Sequence, residues 1–192
     1  MFDDIIQRIS WLFIEQSTGI YISDFLIILF ACALIVLVPG YVLYVKKSVP
    51  YKRIVLIYFT MVFACIMLLF TIFRREPGSK SERIYTHLNL GFSRSAIYSE
   101  NQIIYCIFNI LLFVPWGIIL SLYRKREFFF RIVIMTSLTG FLSSFFIEIL
   151  QRITRTGSFE VTDIIMNILG TTVGATLGYI LIVILKRERK IK

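Results

Sequence analysis

The sequence predicts an all-α fold: an integral membrane bundle of about five transmembrane helices, preceded by an N-terminal interfacial amphipathic helix. Three observations predict it. Hydrophobic residues make up 57% of the 192 residues, and 18 of them are phenylalanine. A soluble core of this length cannot hide so much apolar surface, so lipid must be the solvent for much of it. Charged residues fall to 17% and cluster between apolar runs, each long enough to cross hydrocarbon.

Residues 2–16 repeat apolar groups at helical spacing, with Phe2, Ile5, Ile6, Ile9, Leu12 and Phe13 opposite Asp3, Asp4, Gln7, Arg8 and Glu15. This pattern gives the interfacial helix, which Gly19 ends. The first span covers about residues 24–45, with Asp24 capping its start and Pro39-Gly40 interrupting it. The second covers about 53–73 and runs into Arg74 and Arg75. The third, about 102–123, contains Asn109, Pro115 and Gly117. The fourth, about 128–150, contains Gly140, Ser143, Ser144 and Glu148. The fifth, about 161–185, contains Asp163, Asn167, Gly170, Gly174 and Gly178.

The net charge of +9 does not point to nucleic acid, because the basic residues flank apolar runs as helix ends facing anionic headgroups do. Cys32, Cys65 and Cys106 each lie inside an apolar run, without metal-ligand spacing, and His87 is the one histidine. No metal site and no cofactor is expected. The acidic start, Met1-Phe2-Asp3-Asp4, is unlike the positive opening of a cleavable signal peptide, so the first span is expected to remain as an anchor. Lys46, Lys47, Lys52 and Arg53, then Arg124, Lys125, Arg126 and Arg131, then Lys186, Arg187, Arg189, Lys190 and Lys192 alternate onto one side. That side is expected to be the cytoplasm, which leaves the N-terminus outside and the C-terminus inside. The opposite side carries Arg8, Arg74, Arg75, Lys80, Arg83, Arg94, Arg152 and Arg155.

Ionisable residues within spans need an account, and here they gather on the outer side. Glu148, Gln151, Arg152 and Arg155 follow one another at spacings that suggest one helical stripe, continued inward by Ser144. Asp163 and Asn167 open the fifth span one turn apart, and Asn109 lies at a depth comparable to Asn167, roughly 10 Å in by helix rise. Gly170, Gly174 and Gly178 form a small-xxx-small face continuous with Asp163 and Asn167, so the most closely packed face is also the polar one. This argues for a shared outward-facing pocket. Each piece also has a plainer explanation: the asparagines as helix glue, Glu148 paired with Arg152 in the headgroups, Asp163 as an N-terminal helix charge, the glycines as packing or as the face of a homo-oligomer.

These residues also carry a resemblance. Asn89-Leu90 is followed by Asn109-Ile-Leu-Leu-Phe113-Val-Pro115-Trp-Gly117, then Glu148-Ile-Leu-Gln151, Arg155, and Asp163-Ile-Ile-Met-Asn167-Ile-Leu-Gly170. Over residues 83–182 this order and spacing resembles the VanZ-like membrane proteins, whose outline is an Asn-Leu loop, an N-x-x-x-F-x-P-x-G helix, a helix ending in Glu-x-x-Gln, and a D-x-x-x-N-x-x-G helix. Gly91-Phe92 stands where many relatives have Ile-Pro-Phe. The resemblance implies an N-terminal unit over 1–80, a VanZ-like domain with three spans over 81–185, and a basic cytoplasmic tail over 186–192. It further implies the bacterial cytoplasmic membrane, a cell-envelope role, and an association with low-level antibiotic resistance to teicoplanin, a lipoglycopeptide. The polar cluster and the motif positions together give the candidate ligand-binding residues Asn89, Asn109, Glu148, Gln151, Arg155, Asp163 and Asn167.

Two functions from different classes follow. In the first, the pocket binds a polar headgroup, with membrane lipids, a lipid-linked cell-wall precursor or the acylated antibiotic as partner, and Arg155 holding a phosphate or carboxylate. In the second, a membrane enzyme acts on a lipid-linked substrate, with Glu148 and Asp163 as acid and base and Arg152 or Arg155 stabilising developing charge. No nucleophile with a paired base stands out, since Ser143 and Ser144 have no histidine nearby in sequence and His87 is the one available. A transporter would need an inverted repeat, and none is visible.

Overall fold

In a computed structural model the described residues form six helices: α1 (Phe2–Ser17), α2 (Ile22–Val45), α3 (Tyr51–Phe73), α4 (Ala96–Leu122), α5 (Phe129–Thr154) and α6 (Val161–Ile191). The structure describes residues 2–78, 83–91 and 96–191, with side chains over 6–78, 83–91 and 99–187. Lys80, Phe92, Arg94 and Lys192, and the side chains of Phe2, Asp3, Asp4, Ile5, Arg189 and Lys190, lie outside the described residues. Helices α2 to α6 are each long and apolar enough to cross a membrane. The chain is therefore an all-α, multi-pass membrane bundle. Leu26, Phe30, Phe59, Phe130, Ile134 and Leu142 all face outward, which is stable only where lipid replaces water. Two-residue strands β1 (Ile84–Tyr85) and β2 (Phe159–Glu160) pair in parallel, Ile84 opposite Phe159 and Tyr85 opposite Glu160.

The tightest packing joins α4 to α6. A β-carbon on Gly170 would overlap the carbonyl oxygen of Ile110, one on Gly174 that of Val114, and one on Gly178 the Ser121 hydroxyl. From the other side, a β-carbon on Gly117 would overlap the Thr171 carbonyl. The small-residue stripe thus packs against α4 within the chain. The motif residues of α4 explain themselves here. Asn109, Phe113 and Gly117 are spaced by four, so they share a face. Phe113 is fully buried against Met67, Trp116 and Ile147, and Gly117 admits α6. Hydrogen bonds cross between the helices inside the bundle: Trp116 Nε1 donates to Ser143 Oγ at 3.2 Å, and Ser137 and Thr172 share one at 2.8 Å.

The other elements follow from local chemistry. Asp24 caps α2 by accepting the Tyr21 N–H at 2.8 Å. The Pro39 interruption takes the form of a π-helical stretch over Ala33–Leu37, since proline lacks an N–H and its ring crowds the carbonyl four residues back. A second π-helical turn, Leu69–Phe73, ends α3. Gly19, with φ of +85°, turns the chain after α1. Leu12 of α1 is fully buried, Phe13 meets Phe108 edge-on at 6.4 Å, and Arg8 pairs with Glu100. These contacts dock α1 on the beginning of α4, at the same end of the bundle as the polar ends of α3, α5 and α6.

Candidate functional site

At that end a cavity of about 680 Å³ opens between α1, the end of α3, α4 and the α5–α6 connection. Arg74, Arg75, Tyr105, Asn109, Gln151, Glu160 and Asp163 are among the residues that line it.

Helix α5 supplies one wall. Ser144, Glu148 and Gln151 are buried, while Arg152 and Arg155 are exposed. The expected single stripe therefore splits. A spacing of four keeps Arg155 beneath Gln151 only while the helix lasts. The helix ends at Thr154, and Arg155 takes a left-handed conformation, φ +55°. That places Arg155 outside the cavity. The same turn brings the N–H groups of Thr156 and Gly157 onto the Gln151 carbonyl at 3.0 and 3.3 Å, which satisfies an otherwise orphaned helix-end acceptor. The Gln151 side chain donates to the Thr71 carbonyl at 3.1 Å, one of the carbonyls left open where α3 ends.

The buried Glu148 carboxylate accepts the backbone N–H of Glu160 at 2.8 Å. Glu160 immediately precedes α6, so Glu148 caps that helix from a different one, where negative charge is favoured. Glu148→Ala is expected to destabilise the protein by about 2 kcal/mol, because the Glu160 N–H loses its acceptor. Glu148→Gln keeps an acceptor oxygen and should cost clearly less. Chemical unfolding of the purified protein in detergent measures both, and equal losses would contradict the capping role.

Helix α6 brings Asp163 to the cavity, whose wall it shares with Asn109. Asn167, one turn on, turns elsewhere: its Nδ2 donates to Ser144 Oγ at 2.9 Å, and its carbonyl accepts Thr171 Oγ1 at 2.8 Å. Asn167 is thus a link between α5 and α6, with Ser144 rather than Asn109 as its partner. Asn89 lies in the 83–91 segment that crosses the start of α6. Its N–H donates to the buried Thr162 hydroxyl at 2.9 Å, and its Oδ1 accepts the Gly91 N–H at 3.2 Å. Gly91 adopts φ of +85° there, which a glycine allows. Asn89 therefore shapes the loop above the helix. The β1–β2 pair ties that loop to the α5–α6 connection.

Two cations, Arg74 and Arg75, line the cavity, and the sequence places both only in a basic flank. Arg75 Nη1 donates to the Thr156 carbonyl at 3.1 Å. Gly157 makes room for it, since a β-carbon there would lie 3.0 Å from Nη1. Burial pushes the Arg75 guanidinium below its ordinary pKa, while the negative charges of Asp163, Glu148 and Glu160 act the other way. Arg74 beside it is pushed down to about 10 by burial and by Arg75. Its guanidinium is committed to the Phe70 carbonyl at 2.7 Å, the Glu15 carbonyl at 3.3 Å and the Gln16 side chain, so it fastens α1 over the cavity. The signal for Arg75 was present in the sequence. Two arginines close the second span at the end where Glu148 and Asp163 enter the membrane, and buried carboxylates call for a cation.

The hydroxyls weighed as nucleophiles are held in packing. Ser143 donates to the Thr139 carbonyl at 2.9 Å and accepts from Trp116, and Ser144 accepts from Asn167. Among the described residues no group of histidines, cysteines and carboxylates is arranged to hold a metal ion.

The chain matches the VanZ/LLP1 family over residues 25–186. It belongs to the VanZ/LLP1 family. No curated protein and no solved structure matches it. The VanZ/LLP1 match begins in α2, well ahead of the 83–182 segment that carries the motifs. The structure agrees with that extent, since α3 supplies Met67 to the core and the chain just past its end supplies Arg75 to the cavity.

Proposed function

We propose that this VanZ-like protein binds the polar head of an amphiphile in the cavity between α1, α4 and the α5–α6 connection. The ligand is a lipid-linked cell-wall precursor or an acylated glycopeptide such as teicoplanin. Binding occurs on the outer face of the bacterial cytoplasmic membrane, with the N-terminus outside, and lowers susceptibility to the antibiotic. One observation carries this reading: a cavity of about 680 Å³ at the end of a membrane bundle, with two arginines, the carboxamides of Gln16, Gln102, Asn109 and Gln151, carboxylates and a phenol on its walls. Such a lining suits a multiply hydrogen-bonding head, with Arg75 on a phosphate or carboxylate and Asn109, Gln151 and Tyr105 on amides or hydroxyls. An acyl tail would remain in the bilayer beside the bundle.

The test is teicoplanin susceptibility in a host that depends on this protein for tolerance. Arg75→Gln and Gln102→Ala, expressed in the membrane at wild-type level, should each lower tolerance, and Arg75→Gln the more. Unchanged tolerance in both would end the proposal. The enzyme reading rests on Asp163, a carboxylate in the cavity within the field of Arg75. Mass spectrometry of envelope lipids and precursors separates the two, because a binder leaves the set of chemical species unchanged and an enzyme adds a new one.

A further inference from the structure

The α5–α6 connection has two faces, and the second carries a groove that the polar cavity does not use. Strand alternation sends Glu160 of β2 into the cavity and its neighbour Phe159 to the opposite side. There a groove of about 620 Å³ is lined by Phe145, Ile149, Ile153 and Phe159, with Arg152 and Arg155 at its end. Phe145, Ile149 and Ile153 are spaced by four, so they form an apolar strip along about 12 Å of α5. Phe159 packs edge-on against Phe145 at 6.1 Å and closes one side, with Ile84 of β1 beside it. The groove opens away from the bundle, as Phe145 and Ile153 are exposed.

Charge and depth vary together along this strip. Its apolar part lies within the membrane-spanning helix, Arg152 stands in the last turn, and Arg155 just past the end. The described residues that line the groove bring these two arginines to its end and otherwise only apolar side chains. An amphiphile with an anionic head and an apolar chain has the same order of groups over the same depth.

We propose that this groove is a binding site for an anionic phospholipid, its phosphate held by Arg152 and Arg155 and one acyl chain lying along Phe145, Ile149 and Ile153. It is separate from the polar cavity and independent of what that cavity binds. Arginine suits the role because its planar fork meets a phosphate bidentately.

Native mass spectrometry of the full chain in detergent tests it, with phosphatidylglycerol, phosphatidylcholine of identical chains, and inorganic phosphate as probes. The wild-type protein should retain phosphatidylglycerol in preference to phosphatidylcholine and should not retain inorganic phosphate. The double variant Arg152→Gln/Arg155→Gln should lower phosphatidylglycerol affinity on the order of tenfold, to the phosphatidylcholine level. The Arg152→Lys/Arg155→Lys pair should recover part of it, which excludes misfolding as the cause. Ile149→Ala should weaken both lipids alike. Equal affinity for the two lipids, an unchanged Gln pair, or an equal loss from Arg187→Gln at the far end of α6 would each overturn the proposal. Retention of inorganic phosphate at the level of the lipid would overturn it too, as the mark of a free-anion site.

Discussion

Gly174→Ala is expected to destabilise the bundle by about 2 kcal/mol or more, although the same change in an unconstrained helix would gain up to about 1 kcal/mol from lower chain entropy. The sign is decided by what the new methyl group meets. At Gly174 it meets the carbonyl oxygen of Val114, a backbone atom within α4, and beyond it the α-carbon of Gly117 at 3.0 Å. A side chain can rotate away from such a contact, whereas a helix backbone can yield only by moving the whole helix. Separating α4 from α6 then loosens the packing around Phe113 and Ala175, both fully buried. Val173→Ala is the control. Val173 is 47% exposed on the outer face of the same helix, so its truncation should change stability by no more than about 0.5 kcal/mol. Unfolding of the purified protein in detergent measures both. If Gly174→Ala proves as stable as Val173→Ala, α4 and α6 do not pack as described.

That contact was legible in the sequence because it depends on composition and period alone. Three glycines at intervals of four in an apolar run let another helix approach closely, without saying whether it belongs to the same chain, and the five spans follow from hydropathy in the same way. The polar residues were legible as a group for a related reason: an ionisable side chain in a span is costly, and its position is read directly. What did not follow was their direction. The stripe from Glu148 to Arg155 assumed that α5 keeps its period to the end, and the left-handed turn at Arg155 breaks that assumption. A non-glycine residue in that conformation leaves no mark in the sequence. Asn167 shows the same limit. Its depth matched that of Asn109, but the rotation of α6 about its axis, set by the glycine contact with α4, turns it to Ser144. Arg75 escaped because it comes from the chain just past α3, 81 residues from its partner Thr156, and sequence spacing cannot register a partner at that distance.

Arg75 carries the second large effect. Arg75→Gln is expected to destabilise the protein by about 2 kcal/mol, below the range for breaking a fully buried pair because Arg75 is only half-buried. Two losses contribute. The bond to the Thr156 carbonyl fixes the turn after α5, and the positive charge facing Asp163, Glu148 and Glu160 disappears. A double-mutant cycle separates them. Asp163→Asn removes one of the facing charges while keeping the size of the side chain and one carbonyl oxygen. If charge dominates, the double variant Arg75→Gln/Asp163→Asn should be more stable than the sum of the single losses predicts, with a coupling of about 1 kcal/mol or more. If the backbone bond dominates, the two losses should add. Arg131→Gln provides the comparison for a surface arginine: its side chain is 58% exposed in a 3.4 Å pair with the partly buried Glu127, and its loss should change stability by no more than about 0.5 kcal/mol. Additive losses would remove Arg75 as the electrostatic centre of the cavity, and with it the reason to expect a phosphate or carboxylate there. A measured coupling would mean that an anionic ligand must compete with Asp163 for the same guanidinium. Asp163→Asn should then tighten the binding of an anionic head, even as it destabilises the empty protein.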